Sequence, residues 1–239
     1  MKTISKVFSC ILAFSSLLGS VEGQNRYKIW YDKPASYWEE ALPIGNGRIA
    51  AMVFGDPQLE QIQLNEETVS AGSPYQNYNE EAKAALPEMR RLIFEGKYEE
   101  AQILSQVGNE MPYQTVGRLN IRYQDHKKVS NYYRDLDISN AMTVTRYKVD
   151  GVEFTEETFA SFTDQLVIRH IKSSKPGAIN CELFFNTPMR DPKRSIYGKK
   201  GLRLEGITHG SRYFPGKVHY CADLDVKNKG GEVTMANDT

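Results

Sequence analysis

Along most of this chain apolar residues recur at every second position, in short runs punctuated by glycine, proline, asparagine and aspartate. The clearest case lies at residues 143–161. Tyr147 and Val149 alternate with Arg146 and Lys148, Asp150-Gly151 interrupts, and Val152 opens the return. An Asp-Gly pair between two alternating runs marks a two-residue β-hairpin with one wet face. Glu156-Glu157 breaks the alternation of the returning strand and predicts a bulge. Earlier, residues 48–54 form a nearly continuous apolar run of strand length, predicting a strand covered on both faces. Gly55-Asp-Pro-Gln58 turns the chain. Beyond it Leu59, Gln61 and Gln63 alternate with Glu60, Ile62 and Leu64, a strand covered on its Ile/Leu side. Before it, Gly45-Asn-Gly47 predicts a tight loop over 42–47. Further strands are predicted at 119–123, 166–171, 179–185, 202–207, 219–226 and 232–235.

One segment breaks this two-residue period. Asn79 is placed to cap a helix whose first turn carries Glu80 and Glu81, and Pro87 is expected to open a second helical segment. Met89, Leu92 and Ile93 supply its apolar stripe and Gly96 its end, with Tyr98, Ala101 and Leu104 in a third short helix. The pattern therefore predicts an all-β chain, a two-sheet antiparallel β-sandwich with one helical insertion at about 79–106.

The first residues follow a different logic. Lys2 and Lys6 precede an apolar run at 7–18, followed by small residues, the order of a secretory signal peptide. Val21 and Gly23 suit the −3 and −1 positions, so residues 1–23 are assigned as signal peptide, with cleavage before Gln24 and a periplasmic or extracellular destination. Cys10 raises the alternative of a lipoprotein signal, against which stands its place inside the apolar run with too little ahead of it. Lysine plus arginine and aspartate plus glutamate each number 30 in the whole chain, so loss of Lys2, Lys6 and Glu22 leaves a formal charge of −1. A near-neutral chain without a basic run offers no footprint for nucleic acid. No membrane partner is expected once the signal is removed.

Candidate chemistry is sparse. Acid–base hydrolysis by paired carboxyl groups needs two of them flanking one bond. Glu66-Glu67 and Glu156-Glu157 are adjacent pairs, and on a strand neighbours point to opposite faces, so both read as solvated strand-edge charge. Asp125-His126 is followed by Lys127 and Lys128 and reads as an exposed loop, His170 as a structural strand residue, and His209 and His219 as surface residues. Ser161 and Asp164 lack a nucleophile elbow, and Gly45-Asn-Gly47 lacks the glycine and helix of a phosphate loop. No metal site is expected, since neither a Cys-x-x-Cys motif nor a spaced His pair occurs, and no cofactor is expected. Cys181 and Cys221 both fall in predicted strands; pairing and separate burial are both open.

Several blocks together carry a resemblance. Ile29-Trp-Tyr-Asp-Lys-Pro-Ala35, Ala41-Leu-Pro-Ile-Gly-Asn-Gly47 and Gln63-Leu-Asn-Glu-Glu-Thr68 resemble the start of glycoside hydrolase family 95, the α-L-fucosidase and α-L-galactosidase type enzymes. Leu92-Ile-Phe-Glu-Gly-Lys-Tyr98, Tyr113-Gln114, Tyr132-Tyr-Arg-Asp-Leu-Asp137 and Phe159-Ala-Ser161 continue it in order. The resemblance implies a supersandwich-like N-terminal domain, residues 24–239, cut before its last strand and before a C-terminal helical barrel. In that family the barrel carries the catalytic glutamate and an asparagine–aspartate arrangement that activates water, with inversion at the anomeric carbon. None of those positions falls in this chain, so no catalytic residue is assigned here.

What the resemblance does transfer is a set of candidates for the pocket rim or the interdomain face: Asn46, Asn65, Glu66, Tyr113 and Gln114. Two departures bear on them. Val69 stands where an aromatic residue is usual, and Arg118 where an acidic one is common. The implied partners are an oligosaccharide or glycan, met through the parent enzyme, and the missing barrel domain. The chain alone is expected to be inactive; the alternative is a stand-alone carbohydrate-binding or structural module.

Overall fold

The computed structural model describes residues 27–72, 80–105, 113–210 and 215–236. The expected signal peptide, the Asn79 cap and residue 106 at the end of the helical insertion lie outside them. The described elements are β1 (Lys28–Tyr31), β2 (Leu42–Gly45), β3 (Ile49–Val53), β4 (Leu59–Glu66), α1 (Glu80–Phe94), α2 (Tyr98–Ser105), β5 (Gly117–Tyr123), β6 (Val129–Asp137), β7 (Met142–Val149), β8 (Val152–Ser161), β9 (Leu166–Ser173), β10 (Cys181–Asn186), β11 (Arg190–Tyr197), β12 (Gly201–Ile207) and β13 (His219–Asp225). They build three antiparallel sheets, ordered β1-β6-β7-β8-β9, β10-β5-β4-β3-β2 and β11-β12-β13. The chain is thus all-β, as the two-residue period predicts, and among the described residues the two helices are the large exception.

The first two sheets face each other. Ile44, Ala51, Val53, Ile62, Leu119, Ile121 and Tyr123 of the second sheet meet Leu136 of the first, with Val167 and Ile171 packed against them. Burying a side chain of this size stabilises the fold by about 1.5–3 kcal/mol. Leu204 and Tyr220 bring the third sheet into the same cluster. The β7–β8 hairpin closes on Asp150 and Gly151, both at positive φ (47° and 82°), the backbone of a type I′ turn.

The expected elements shift in several places, each for a physical reason. Residues 42–45 are a strand, not a loop: Leu42 and Ile44 point into the core, and only the Asn46-Gly47 corner turns, with Gly47 at φ 95°. β6 is hidden in sequence by its charges, because Arg134 and Asp135 are fully buried. Arg134 stacks over the Tyr31 ring (4.1 Å) and donates to the carbonyls of Lys33 (2.8 Å) and Glu40 (2.7 Å), which clamps the 33–40 loop to the sheet. β11 is exposed along its whole length and carries Pro192 at a register shift between Arg190 and Lys193, where a missing N–H costs no ladder bond. Residues 232–235 form no strand.

Pro87 does not open a helix but lies inside continuous α1. It is on the exposed side, so the lost backbone bond is not buried. Of its expected stripe Leu92 is buried and Ile93 exposed, while Gly96 (φ 76°) ends the helix as expected. No bulge occurs at Glu156-Glu157: β7 and β8 pair residue for residue from Met142↔Phe159 to Val149↔Val152. Cys181 and Cys221 are free thiols on different sheets.

Candidate functional site

The residues singled out in sequence gather at the end of the second sheet where β4 finishes. Asn46 holds the β2–β3 corner. Its Oδ1 accepts the N–H groups of Arg48 (3.0 Å) and Ile49 (2.9 Å), while its Nδ2 donates to the carbonyl of Ser161 (2.8 Å) and to Gln165 Oε1 (3.3 Å) in the β8–β9 turn. Glu66 accepts from the N–H and hydroxyl of Thr68 (2.8 and 2.5 Å) and from Arg48 Nε (3.1 Å). Partial burial pushes its carboxyl up, but these donors outweigh burial and hold it below the usual range, so Glu66 is a carboxylate at neutral pH.

Tyr113 donates to the Glu66 carbonyl (3.0 Å), and burial followed by the Glu66 and Glu67 charges raises its phenol. Gln114 brackets the backbone of His209, donating to its carbonyl (2.7 Å) and accepting its N–H (2.8 Å). Asn65 lies on the outward side of β4 with Gln61 and Gln63, and its Oδ1 is buried without a partner among the described residues. The structure therefore brings Asn46, Glu66 and Tyr113 around Arg48, with Gln114 and Asn65 beside them. None of these contacts pairs two carboxyl groups.

Two carboxylates do meet, deep between the sheets. Glu60 of β4 is 0 % exposed and Glu156 of β8 is 1 % exposed, so the reading of Glu156 as solvated strand-edge charge is corrected. Both bind the guanidinium of Arg169 on β9, Glu60 at 2.7 Å. Glu60 also accepts the N–H groups of Gly55 (2.8 Å) and Gln61 (3.0 Å), and Glu156 the phenols of Tyr123 (2.7 Å) and Tyr147 (2.5 Å). Burial raises both phenols. Every carboxylate oxygen is occupied and both side chains are buried, so this cluster bolts the two sheets together.

His126 is corrected likewise. It is 4 % exposed, not in an exposed loop. Its ring stacks on Tyr123 (4.3 Å), meets Phe154 edge-on (4.4 Å) and bonds the Pro57 carbonyl (2.9 Å) through Nδ1. Burial lowers its pKa against the opposing pull of that carbonyl and of Asp125. Sequence alone held one signal for Glu156: it falls on the inward register with Phe154 and Thr158. His170 is exposed and pairs with Glu157 (3.3 Å), so it is not a core histidine.

The outward face of the second sheet carries a groove. A cavity of about 620 Å³ runs beneath the clamped 33–38 loop, with Trp38, Phe54, Asp56 and Gln61 on its walls. A smaller one of about 270 Å³ lies over Gln63, Thr115 and Asn186, and Arg118 belongs to both. Gly117 (φ 142°) lets the 186–187 backbone approach β5 beside the smaller one, because a Cβ there would stand 2.5 Å from the Asn186 carbonyl oxygen. Among the described residues no cluster of His, Cys, Asp or Glu is arranged to hold a metal ion.

The described residues thus form an antiparallel sandwich with a polar groove on one outward face. Comparison with known proteins gives that architecture a family. Residues 29–239 match the model described as glycosyl hydrolase family 65, N-terminal domain, and the chain belongs to that family. The matching description is family 65, whereas the sequence motifs resemble family 95. Among curated relatives, the chain is 36% identical over 168 residues to Alpha-L-fucosidase 2 of Arabidopsis thaliana, covering 68% of this chain and 20% of that protein. It is 27% identical over 169 residues to Probable alpha-fucosidase A of Aspergillus oryzae, covering 66% and 23%. The chain thus spans about a fifth of the length of these relatives.

Proposed function

We propose that this chain is the non-catalytic N-terminal sandwich of a secreted exo-glycosidase of the family 95 type. The parent enzyme hydrolyses terminal α-L-fucosyl, or α-L-galactosyl, linkages in glycans. The observation that carries this reading is the match of an N-terminal glycosidase domain across 29–239, with 36% identity to an alpha-L-fucosidase. The order of the family 95-like motifs supports the finer assignment. In this reading Asn46, Asn65, Glu66, Tyr113 and Gln114 line the rim that faces the glycan and the barrel domain, Asn46 by shaping the corner and Glu66 as a fixed anion.

The sandwich leaves proton donation and water activation to another domain. In an inverting site those two groups stand roughly 6.5–9.5 Å apart across the sugar. Its two convergent carboxylates, Glu60 and Glu156, are instead sealed on one arginine. Binding a sugar without stabilising its transition state gives no turnover. The test is incubation of the chain with chromogenic α-L-fucoside and α-L-galactoside, beside a longer version of the protein that includes the following domain. The chain is taken from the secreted fraction, where its intact mass is expected to start at Gln24. Silence from the chain and hydrolysis by the longer protein are expected. Turnover by the chain that disappears when one of its own carboxylates is replaced would overturn the reading.

A further inference from the structure

The groove on the outward face of the second sheet has a chemistry that the rim and the inter-sheet bolt do not use. Its two cavities meet at Arg118, which stands directly opposite Gln63 in the β4–β5 ladder. One arm of the Arg118 guanidinium donates to Gln61 Oε1 (2.9 Å), and its carbon lies 5.9 Å from the centre of the Phe54 ring. These contacts orient the side chain without neutralising it. Among the described residues Arg118 has no carboxylate partner, whereas Arg122, four residues further along the same strand, is paired with Glu182 (2.7 Å).

Charge then separates the two cavities. The larger holds Asp56 and Lys33 as well as Arg118, and Lys33 is paired with Glu40 (3.4 Å). Asp56 Oδ1 is committed to the N–H groups of Gln58 (2.7 Å) and Leu59 (3.2 Å). In the smaller, Arg118 is the single charged lining residue, surrounded by the amides of Gln63 and Asn186 and the hydroxyl of Thr115. A guanidinium with free N–H groups among neutral amides matches a carboxylate, which it binds in a planar two-point fashion. At about 270 Å³ the cavity lies just below the usual volume of ligand sites and suits one sugar ring. In the larger cavity Trp38 is half exposed and presents a flat apolar surface of the kind on which a sugar ring packs.

We propose that this groove binds an acidic segment of a glycan, with the carboxylate of a uronic acid unit on Arg118 in the smaller cavity and the neighbouring sugar against Trp38 in the larger. The proposal rests on the reading of the parent as a glycan-active enzyme and names the class of glycan it holds. It places glycan recognition on the sheet face, apart from the rim. The loop that carries Trp38 is held in place by Arg134, so the larger cavity is preformed.

The test is titration of the chain with trigalacturonic acid and with its fully methyl-esterified form, followed by fluorescence of the two tryptophans and by calorimetry. The acid is expected to bind about tenfold more tightly than the ester, as one charge-assisted contact implies. Arg118→Gln is expected to abolish that preference. Arg118→Lys, which keeps the charge without the fork, is expected to retain part of it, and so separates loss of recognition from loss of folding. Trp38→Phe is expected to remove the fluorescence response and leave the calorimetric preference intact. Equal binding of acid and ester, no binding of either, or an undiminished preference in a folded Arg118→Gln protein would overturn the proposal. Fucoside hydrolysis by the longer protein is a separate measurement, so either reading can fail while the other stands.

Discussion

At the scale of single residues, the polar groups inside this sandwich behave differently from how their neighbours in sequence suggest. His126 is followed by two lysines yet sits among three aromatic rings. Its pKa is lowered by burial, so between its folded value and the ordinary value of 6.5 the unfolded chain binds a proton that the folded chain refuses. Stability must therefore rise with pH through that window and be lost as pH falls below about 6.5. His126→Phe keeps the stacking and loses the titration. Its melting temperature is expected to be lower at every pH, because the Pro57 carbonyl loses its partner, but to change less than wild type between pH 7 and pH 5.5. An unchanged slope in thermal melts would show that another group governs this range. The sequence carried no sign of this site, because the rings that bury His126 come from β5, β7 and β8.

At the scale of elements, the most legible parts were those whose partners are close in sequence. The β7–β8 hairpin follows from Asp150-Gly151 and the alternation on either side of it. β6 and the Glu60–Arg169–Glu156 bolt were not legible, because a buried charge is recognised only by its partner. For Glu60 that partner is 109 residues away. The bolt makes a graded prediction. Arg169→Leu leaves two carboxylates buried with no cation, which costs about 3–5 kcal/mol at neutral pH. Removing all three charges together, Arg169→Leu with Glu60→Gln and Glu156→Gln, is expected to recover part of that loss. Denaturant unfolding at neutral pH measures both, and a triple variant no more stable than Arg169→Leu would assign the loss to packing instead. The cluster at the end of β4 was half legible: the motif blocks single out Glu66 and Tyr113, which the fold brings together, but not Arg48, the residue that joins Glu66 to the Asn46 corner. Arg118 stood out in sequence as a departure from the family pattern, but its groove was not legible, since it depends on loops and strands that only the fold brings side by side.

At the scale of the whole molecule, the strand order carries a consequence for the sequence of events by which the sandwich assembles. β6, β7, β8 and β9 are consecutive and pair with their neighbours, so short loops close each of those ladders early. β1 has no such local partner. It is four residues long, pairs only with β6, and its Lys28 meets Asp135 across 107 residues. It also contributes little to the core, since Ile29 and Trp30 are 43% and 61% exposed. The last ladder to form is then the first to open. In native-state hydrogen exchange the amides of β1 are expected to exchange well before those of the β7–β8 hairpin, with an opening free energy far below that of global unfolding. If β1 and β7 amides instead exchanged together, the long-range strand would be an integral part of the cooperative core and not a late addition to its edge.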